Sequence, residues 1–111
     1  MTTTRDETFF VDPGGCLVRA VVPARGKPYE HRCTLEAFAE VARAVAEAQG
    51  RFTLDGLHEA TGLTWTQVAV AFAFLKERSI VVPAGKRMHV AEGDLAFESA
   101  MIEYHALREH G

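Results

Sequence analysis

The segment TWTQVAVAFAFLKERS, Thr64–Ser79, places the strongest constraint on what this chain can fold into. Large and small apolar residues alternate through its middle, as in a strand, but its length exceeds the five or six residues of a usual strand. Thr64 and Gln67 predict a capping box, and Lys76 and Arg78 complement the negative end of a helix dipole. We therefore predict a helix that is apolar nearly all round, which another surface must cover.

Two apolar runs precede this segment and flank the turn Asp12-Pro13-Gly14-Gly15, which is typical of a link between antiparallel strands. They predict a β-hairpin with strands at about 8–11 and 16–22. Tyr29–Cys33 predicts a further short extended piece. Residues 1–7 are polar and are predicted to form a disordered tail.

The remaining elements are predicted to be three helices and a second hairpin. TLEAFAEVARAVAEAQG begins at a Thr34 N-cap and ends before Gly50, and a shorter helix follows at about 53–62. IVVPAGKRMHVA predicts two short strands around a turn at 83–86. Asp94 is expected to N-cap a last amphipathic helix, which ends near residue 110.

The bulk composition predicts one folded domain, and the predicted helices and hairpins place it in the α+β class. The chain has 111 residues, enough for a single core, with 48% apolar and 24% charged residues. No apolar run reaches the eighteen or so residues that a membrane span needs. The start MTTTRDETFF has no apolar run typical of a secretion signal, so we expect a cytoplasmic protein with no membrane partner.

The phrase FTLDGLHEATGLTWTQVAVAFAFLKERSIVV combines a short helix, a Gly62-Leu63 turn, a longer helix closed by a basic residue, and a β run. With the helix before it and the hairpin after it, this order resembles the winged helix-turn-helix family over about 34–91. The resemblance implies a winged-helix core with an N-terminal β-hairpin extension at 8–33 and a C-terminal helix at 92–111. Because this scaffold serves both DNA binding and protein association, it leaves the function open between the two.

In that family the third helix turns one face to the core and the other to DNA. Val68, Phe72 and Leu75 fit the inward positions, whereas the outward positions from Leu63 to Leu75 carry no charge. An outward apolar patch usually marks an interface. We therefore predict a non-enzymatic interaction module that pairs with itself or with another protein through the third helix, the last helix or both. The predicted interface residues are Trp65, Val70, Ala73, Phe74, Met101 and Tyr104.

Two alternatives remain for the outward face of the third helix. The chain can cover this face itself with the N-terminal hairpin or the last helix. Alternatively, the face can meet DNA, which would make the protein a transcriptional regulator, although the net charge of −3 disfavours this. The residues expected to contact nucleic acid would then be Thr66, Gln67, Lys86, Arg87 and His89.

No motif in the sequence predicts a metal site, a cofactor or a catalytic centre. Cys16, His31 and Cys33 lack the paired Cys-x2-Cys spacing of common zinc sites, and the two cysteines are expected to be reduced. There is no Gly-rich phosphate loop and no nucleophile or metalloprotease motif. We therefore expect a protein that is not an enzyme.

Overall fold

The N-terminal residues form a three-stranded antiparallel sheet, one strand larger than the predicted hairpin. The structure is a computed structural model that describes residues 6–110, and its sheet has the order β1 (Asp6–Val11), β2 (Leu17–Val22) and β3 (Tyr29–Cys33). β1 begins two residues earlier than predicted, because Asp6 and Glu7 pair with Val22 and Val21. The rest of the predicted tail, residues 1–5, lies outside the described residues.

Within residues 6–110, four helices and a second, two-stranded sheet complete the fold. The helices are α1 (Leu35–Glu47), α2 (Leu54–Thr61), α3 (Trp65–Glu77) and α4 (Ala96–His110). Between α3 and α4, the strands β4 (Val81–Pro83) and β5 (His89–Ala91) form the antiparallel second sheet. The predicted α+β class is confirmed.

Threonines begin the first three helices, as their sequence positions predict. The side chains of Thr34, Thr53 and Thr64 each accept a hydrogen bond from the backbone N–H three residues further on. Each bond satisfies an amide that the first turn of a helix leaves without a partner. α2 ends at Gly62, which has φ +70° and so takes a conformation that favours glycine.

The core lies between the three-stranded sheet and the helices, and α3 crosses its centre. Phe74 on α3 contacts Phe9 on β1 and Phe38 on α1, with ring centroids 5.4 and 5.7 Å apart, both edge to face. Such edge-to-face pairs are the favoured geometry of buried aromatic rings. α3 is therefore covered on two sides within its own chain.

α4 closes the core from the other end of the chain. It packs on α1 and β1, and its Tyr104 side chain is fully buried. The Tyr104 hydroxyl donates a hydrogen bond of 2.6 Å to the carbonyl of Gly15 in the β1–β2 turn. This bond joins the two ends of the chain across the core.

A backbone bridge ties the loop before α2 to the second sheet. Phe52 and His89 exchange two backbone hydrogen bonds, of 2.8 and 2.9 Å. The Phe52 ring also packs edge to face on Phe72 of α3. The β4–β5 hairpin is thereby held beside α1 and α3. Within residues 6–110, no helix has both the length and the apolar character needed to cross a membrane.

Candidate interaction surface

The apolar side of α3 is buried by the chain itself, so the prediction that Val70 and Phe74 face outward is wrong. Both side chains have no exposed surface. They lie beneath the N-terminal sheet, whose strands β2 and β3 pack against α3. The structure therefore agrees with the alternative in which the N-terminal strands of the same chain cover α3. Ala73 is half-buried at the border of this contact.

The predicted interface positions on α4 are also directed inward. Tyr104 is fully buried and Met101 is half-buried against the core, so the expectation that Tyr104 meets a partner is wrong. The large apolar residues of this helix region that are exposed are Leu95, at 64%, and Ile102, at 66%. They are seven residues apart and share one face of a helical register.

The exposed side of α3 is narrow and carries small side chains. Thr66 is exposed, and Ala69 and Ala73 are half-buried one and two turns further along. Trp65, 49% exposed, stacks on His58 of α2 with ring centroids 3.8 Å apart and an angle of 8° between the ring planes. Of the six predicted interface residues, Trp65 is thus the one with a largely exposed side chain.

Gln67 joins the starts of two helices through its side-chain oxygen. Its backbone N–H donates to Thr64, as one half of the predicted capping box. Its side-chain oxygen does not complete the box. It accepts hydrogen bonds of 3.1 and 3.3 Å from the backbone N–H and the hydroxyl of Thr34. The reciprocal bond of the box is therefore replaced by a link between α3 and the start of α1.

The turn between β4 and β5 presents basic side chains. Lys86 and Arg87 are exposed, as the sequence predicts. A guanidinium nitrogen of Arg51 lies 3.8 Å from the position where a Cβ on Gly85 would stand. Within residues 6–110, none of these three cations forms an ion pair with a carboxylate. The sequence does not predict that Arg51 lies beside this turn. The neighbouring Phe52–His89 bridge brings it there, and that bridge joins residues far apart along the chain.

His89 is turned away from the basic turn. It packs edge to face on Phe72, with ring centroids 4.8 Å apart, and its Nδ1 is enclosed without a hydrogen-bond partner among the residues described. Burial, with the nearby Lys76 ammonium, lowers the pKa of His89 below its ordinary value of 6.5. Both effects favour the neutral ring, which is a poor partner for phosphate.

The two cysteines carry free thiols on neighbouring parts of the first sheet. Cys33 is buried and pairs with Leu17 on the neighbouring strand β2. Cys16 directly precedes Leu17 and is half-buried. Burial raises the pKa of the Cys33 thiol to about 12, and the nearby Cys16 adds to this. Among residues 6–110, no cluster of three or more His, Cys, Asp or Glu side chains suits a metal ion.

A shallow cleft of about 560 Å³ lies between α1, α2 and the β4–β5 turn. Its floor is apolar and includes Ala44, Phe52 and Leu57, and its rim carries Arg43 and Arg51. Arg43 is paired with Glu40 of the same helix, at 3.4 Å. Glu40 and Glu47 also line the cleft. The cleft thus joins the basic turn to an apolar surface and carries charges of both signs.

The third strand of the first sheet is an open edge. β3 pairs with β2 on one side, and within the described part of the chain no strand pairs with its other side. Tyr29 to Arg32 are all exposed. Sequence reasoning treated this segment only as a short extended piece, because a five-residue run shows no signal that separates an edge strand from a loop.

Comparisons of this chain with protein-family models, curated proteins and solved structures gave no significant match.

Proposed function

We propose that this chain is a non-enzymatic winged-helix interaction module that associates with a second copy of itself. The observation that carries the proposal is the composition of the exposed side of α3. This side offers Trp65, Thr66, Ala69 and Ala73 and no cation before Lys76. A surface of this kind suits contact with protein better than contact with phosphates or base edges.

The order of elements supports the winged-helix assignment. α1, the Phe52 bridge strand, α2, α3 and the β4–β5 hairpin follow one another as in that family, and the bridge joins the hairpin to the helices. The β4–β5 hairpin would be the wing. The first sheet and α4 are additions that bury the faces of α3 and α1 otherwise left open.

Apolar side chains that remain exposed support association with protein. Val22, Trp65, Leu95 and Ile102 are each about half exposed or more. Single exposed apolar residues are common on monomers, so their number alone decides little. Together with the net charge of −3, they favour a protein partner over a nucleic acid.

Light scattering over a range of protein concentrations tests self-association. The chain mass is 12.2 kDa, and we expect the measured mass to rise to that of two chains as concentration increases. A mass of one chain at every concentration would refute the proposal. Trp65→Lys and Ile102→Lys, both at exposed positions, then show whether α3 or α4 takes part in the contact.

A second candidate function, DNA binding, is favoured by one observation. Lys86 and Arg87 lie in the β4–β5 turn, Arg51 reaches Gly85 of that turn, and none of the three has a carboxylate partner among the residues described. Such a cluster can neutralise backbone phosphates, which would make binding strongly salt-dependent.

Retardation of a labelled random duplex at low salt tests this second function. If the wing binds DNA, Lys86→Ala/Arg87→Ala weakens retardation, and the matched pair Arg25→Ala/Lys27→Ala in the β2–β3 loop does not. If the duplex is not retarded at any of the salt concentrations tested, DNA binding is ruled out. The proposed self-association is unaffected by that result.

A further inference from the structure

We infer that two copies of the chain join through the open edge of β3 to form one continuous six-stranded antiparallel sheet. The inference rests on the proposed self-association and names its interface. It follows from three properties of β3, namely the direction of its backbone groups, the placement of its charges and the symmetry of both.

The hydrogen bonds of the β1–β2 turn fix which backbone groups point to the open edge. The Asp12 N–H donates to the Cys16 carbonyl at 2.9 Å, which makes this position a hydrogen-bonded one. Such positions alternate along an antiparallel pair, so Val18 and Ala20 direct their backbone groups toward β1. Leu17, Arg19 and Val21 then direct theirs toward β3.

The register of β2 and β3 determines which residues of β3 direct their backbone groups to the open edge. Leu17, Arg19 and Val21 stand opposite Cys33, His31 and Tyr29, so these three residues of β3 face β2. Glu30 and Arg32 therefore turn their N–H and C=O groups away from the sheet. Thr34, two residues further on, has the same direction, and its N–H donates to Gln67 and not to β2.

These outward groups are available for pairing. Within the described residues, the backbones of Glu30 and Arg32 bond to no side chain and to no loop or turn. An open edge with free backbone groups is a template for another strand. Edges that resist pairing usually carry proline, a bulge or charged side chains. Between Tyr29 and Cys33 this edge has no proline and no bulge, and its charged residues Glu30 and Arg32 have opposite signs, so an antiparallel second copy can neutralise both.

The charges on β3 select a second copy as the partner and set its register. If two β3 strands run antiparallel about a two-fold axis at His31, each Glu30 stands opposite Arg32 of the other copy. The pairing forms four backbone hydrogen bonds and two cross-strand ion pairs on the sheet face opposite α3. A shift by two residues either way would oppose Glu30 to Glu30 or Arg32 to Arg32.

The structure already shows that these side chains reach one another. Arg32 bonds to Glu30 at 3.0 Å and to Asp12 at 3.3 Å on this face. These ion pairs are exposed and contribute little within one chain. In the paired sheet the two copies would join them into one network across the two-fold axis.

Charge reversal tests the interface by light scattering and native mass spectrometry. Glu30→Arg and Arg32→Glu each place like charges opposite one another, and each should raise the dimer dissociation constant at least about tenfold. Mixing the two variants should restore pairing. β3 of Glu30→Arg carries arginine at both positions and β3 of Arg32→Glu carries glutamate at both, so opposite charges face one another in the mixed dimer. Glu98→Arg, the same charge change at an exposed position of α4, should leave the dimer intact.

A pair of proline variants tests the backbone direction independently. Glu30→Pro removes an N–H that faces outward, so it should keep the fold and abolish the dimer. His31→Pro removes an N–H that bonds to β2, so it should destabilise the fold itself. If Glu30→Pro unfolds the protein, the inferred backbone direction is wrong.

The outcomes separate this inference from the proposed function. A monomeric wild type refutes both. A dimer that survives Glu30→Arg and Arg32→Glu, but dissociates in Trp65→Lys or Ile102→Lys, refutes the β3 interface and keeps the proposed function. Mixed variants that stay monomeric also refute the interface.

Discussion

Single side chains hold the separate parts of this fold together. Gln67 links the start of α3 to the start of α1, and Tyr104 links α4 to the β1–β2 turn. The residue types are ordinary, and their positions near helix ends or on apolar faces are evident from the sequence. Their partners are not, because each bond joins residues that are far apart along the chain.

Replacing Tyr104 with Phe should destabilise the protein by about 1–3 kcal/mol. The change removes the hydroxyl that donates to the Gly15 carbonyl and leaves that buried carbonyl without its partner. Urea unfolding at constant pH measures the loss. Tyr29→Phe, at an exposed tyrosine, serves as the control, and an equal effect of the two variants would contradict the assigned role of Tyr104.

The two cysteines should differ sharply in reactivity with iodoacetamide. With a pKa of about 12, Cys33 has roughly one thiolate in ten thousand at pH 8, and its sulfur is buried. Mass spectrometry of the native protein should show alkylation at Cys16 well before Cys33. Unfolding in urea should remove the difference. Equal native rates would mean that the first sheet opens readily.

At the scale of elements, the first sheet determines what α3 can do. The sequence predicts α3 as a helix, with Val68, Phe72 and Leu75 inward, and the structure agrees. The opposite face, with Val70 and Phe74, is equally apolar, so the sequence alone left open what covers it. The answer depends on Phe9, which reaches Phe74 only because β1 pairs with β2 in one register. No local pattern encodes that contact.

Truncating Phe74 to Ala should cost about 3–5 kcal/mol of unfolding free energy, because it opens a cavity between the sheet and α1. Trp65→Ala, which truncates the exposed aromatic residue of the same helix, should cost much less. Both are measured by chemical denaturation. If Trp65→Ala were the more harmful of the two, α3 could not be oriented as described.

The β4–β5 hairpin should make stability depend on pH below neutrality. Folding lowers the pKa of His89 below 6.5, so the unfolded chain binds the proton more tightly. The stabilisation is complete above pH 6.5 and is lost as pH falls through the folded pKa. His89→Gln should remove this part of the pH dependence in thermal unfolding. His110→Gln, at an exposed position of α4, is the matched control variant.

At the scale of the whole molecule, the elements share one core. The first sheet packs on α3, α4 packs on both α1 and β1, and the Phe52 bridge attaches the β4–β5 hairpin. The predicted 8–33, 34–91 and 92–111 divisions therefore describe sequence segments, and the structure joins all three through buried side chains such as Phe38, Phe74 and Tyr104.

We accordingly expect one cooperative unfolding transition. Trp65, the single tryptophan, reports on α2 and α3 by fluorescence, and far-ultraviolet circular dichroism reports on all helices. The two signals should give the same denaturation midpoint. A fluorescence midpoint clearly below the other would show that the packing around Trp65 is lost before the helices unfold.

The bond between Tyr104 and Gly15 also has a consequence for biosynthesis. It joins residues 89 positions apart, so it cannot form until Tyr104 has left the ribosome. Until then the β1–β2 turn lacks its buried partner. The strands of the first sheet are synthesised before α4, so β1 cannot pack on α4 until that helix has been made. Contacts of such long range slow folding and prolong the exposure of apolar strands. The nascent chain is therefore expected to be most prone to aggregation just before α4 is complete.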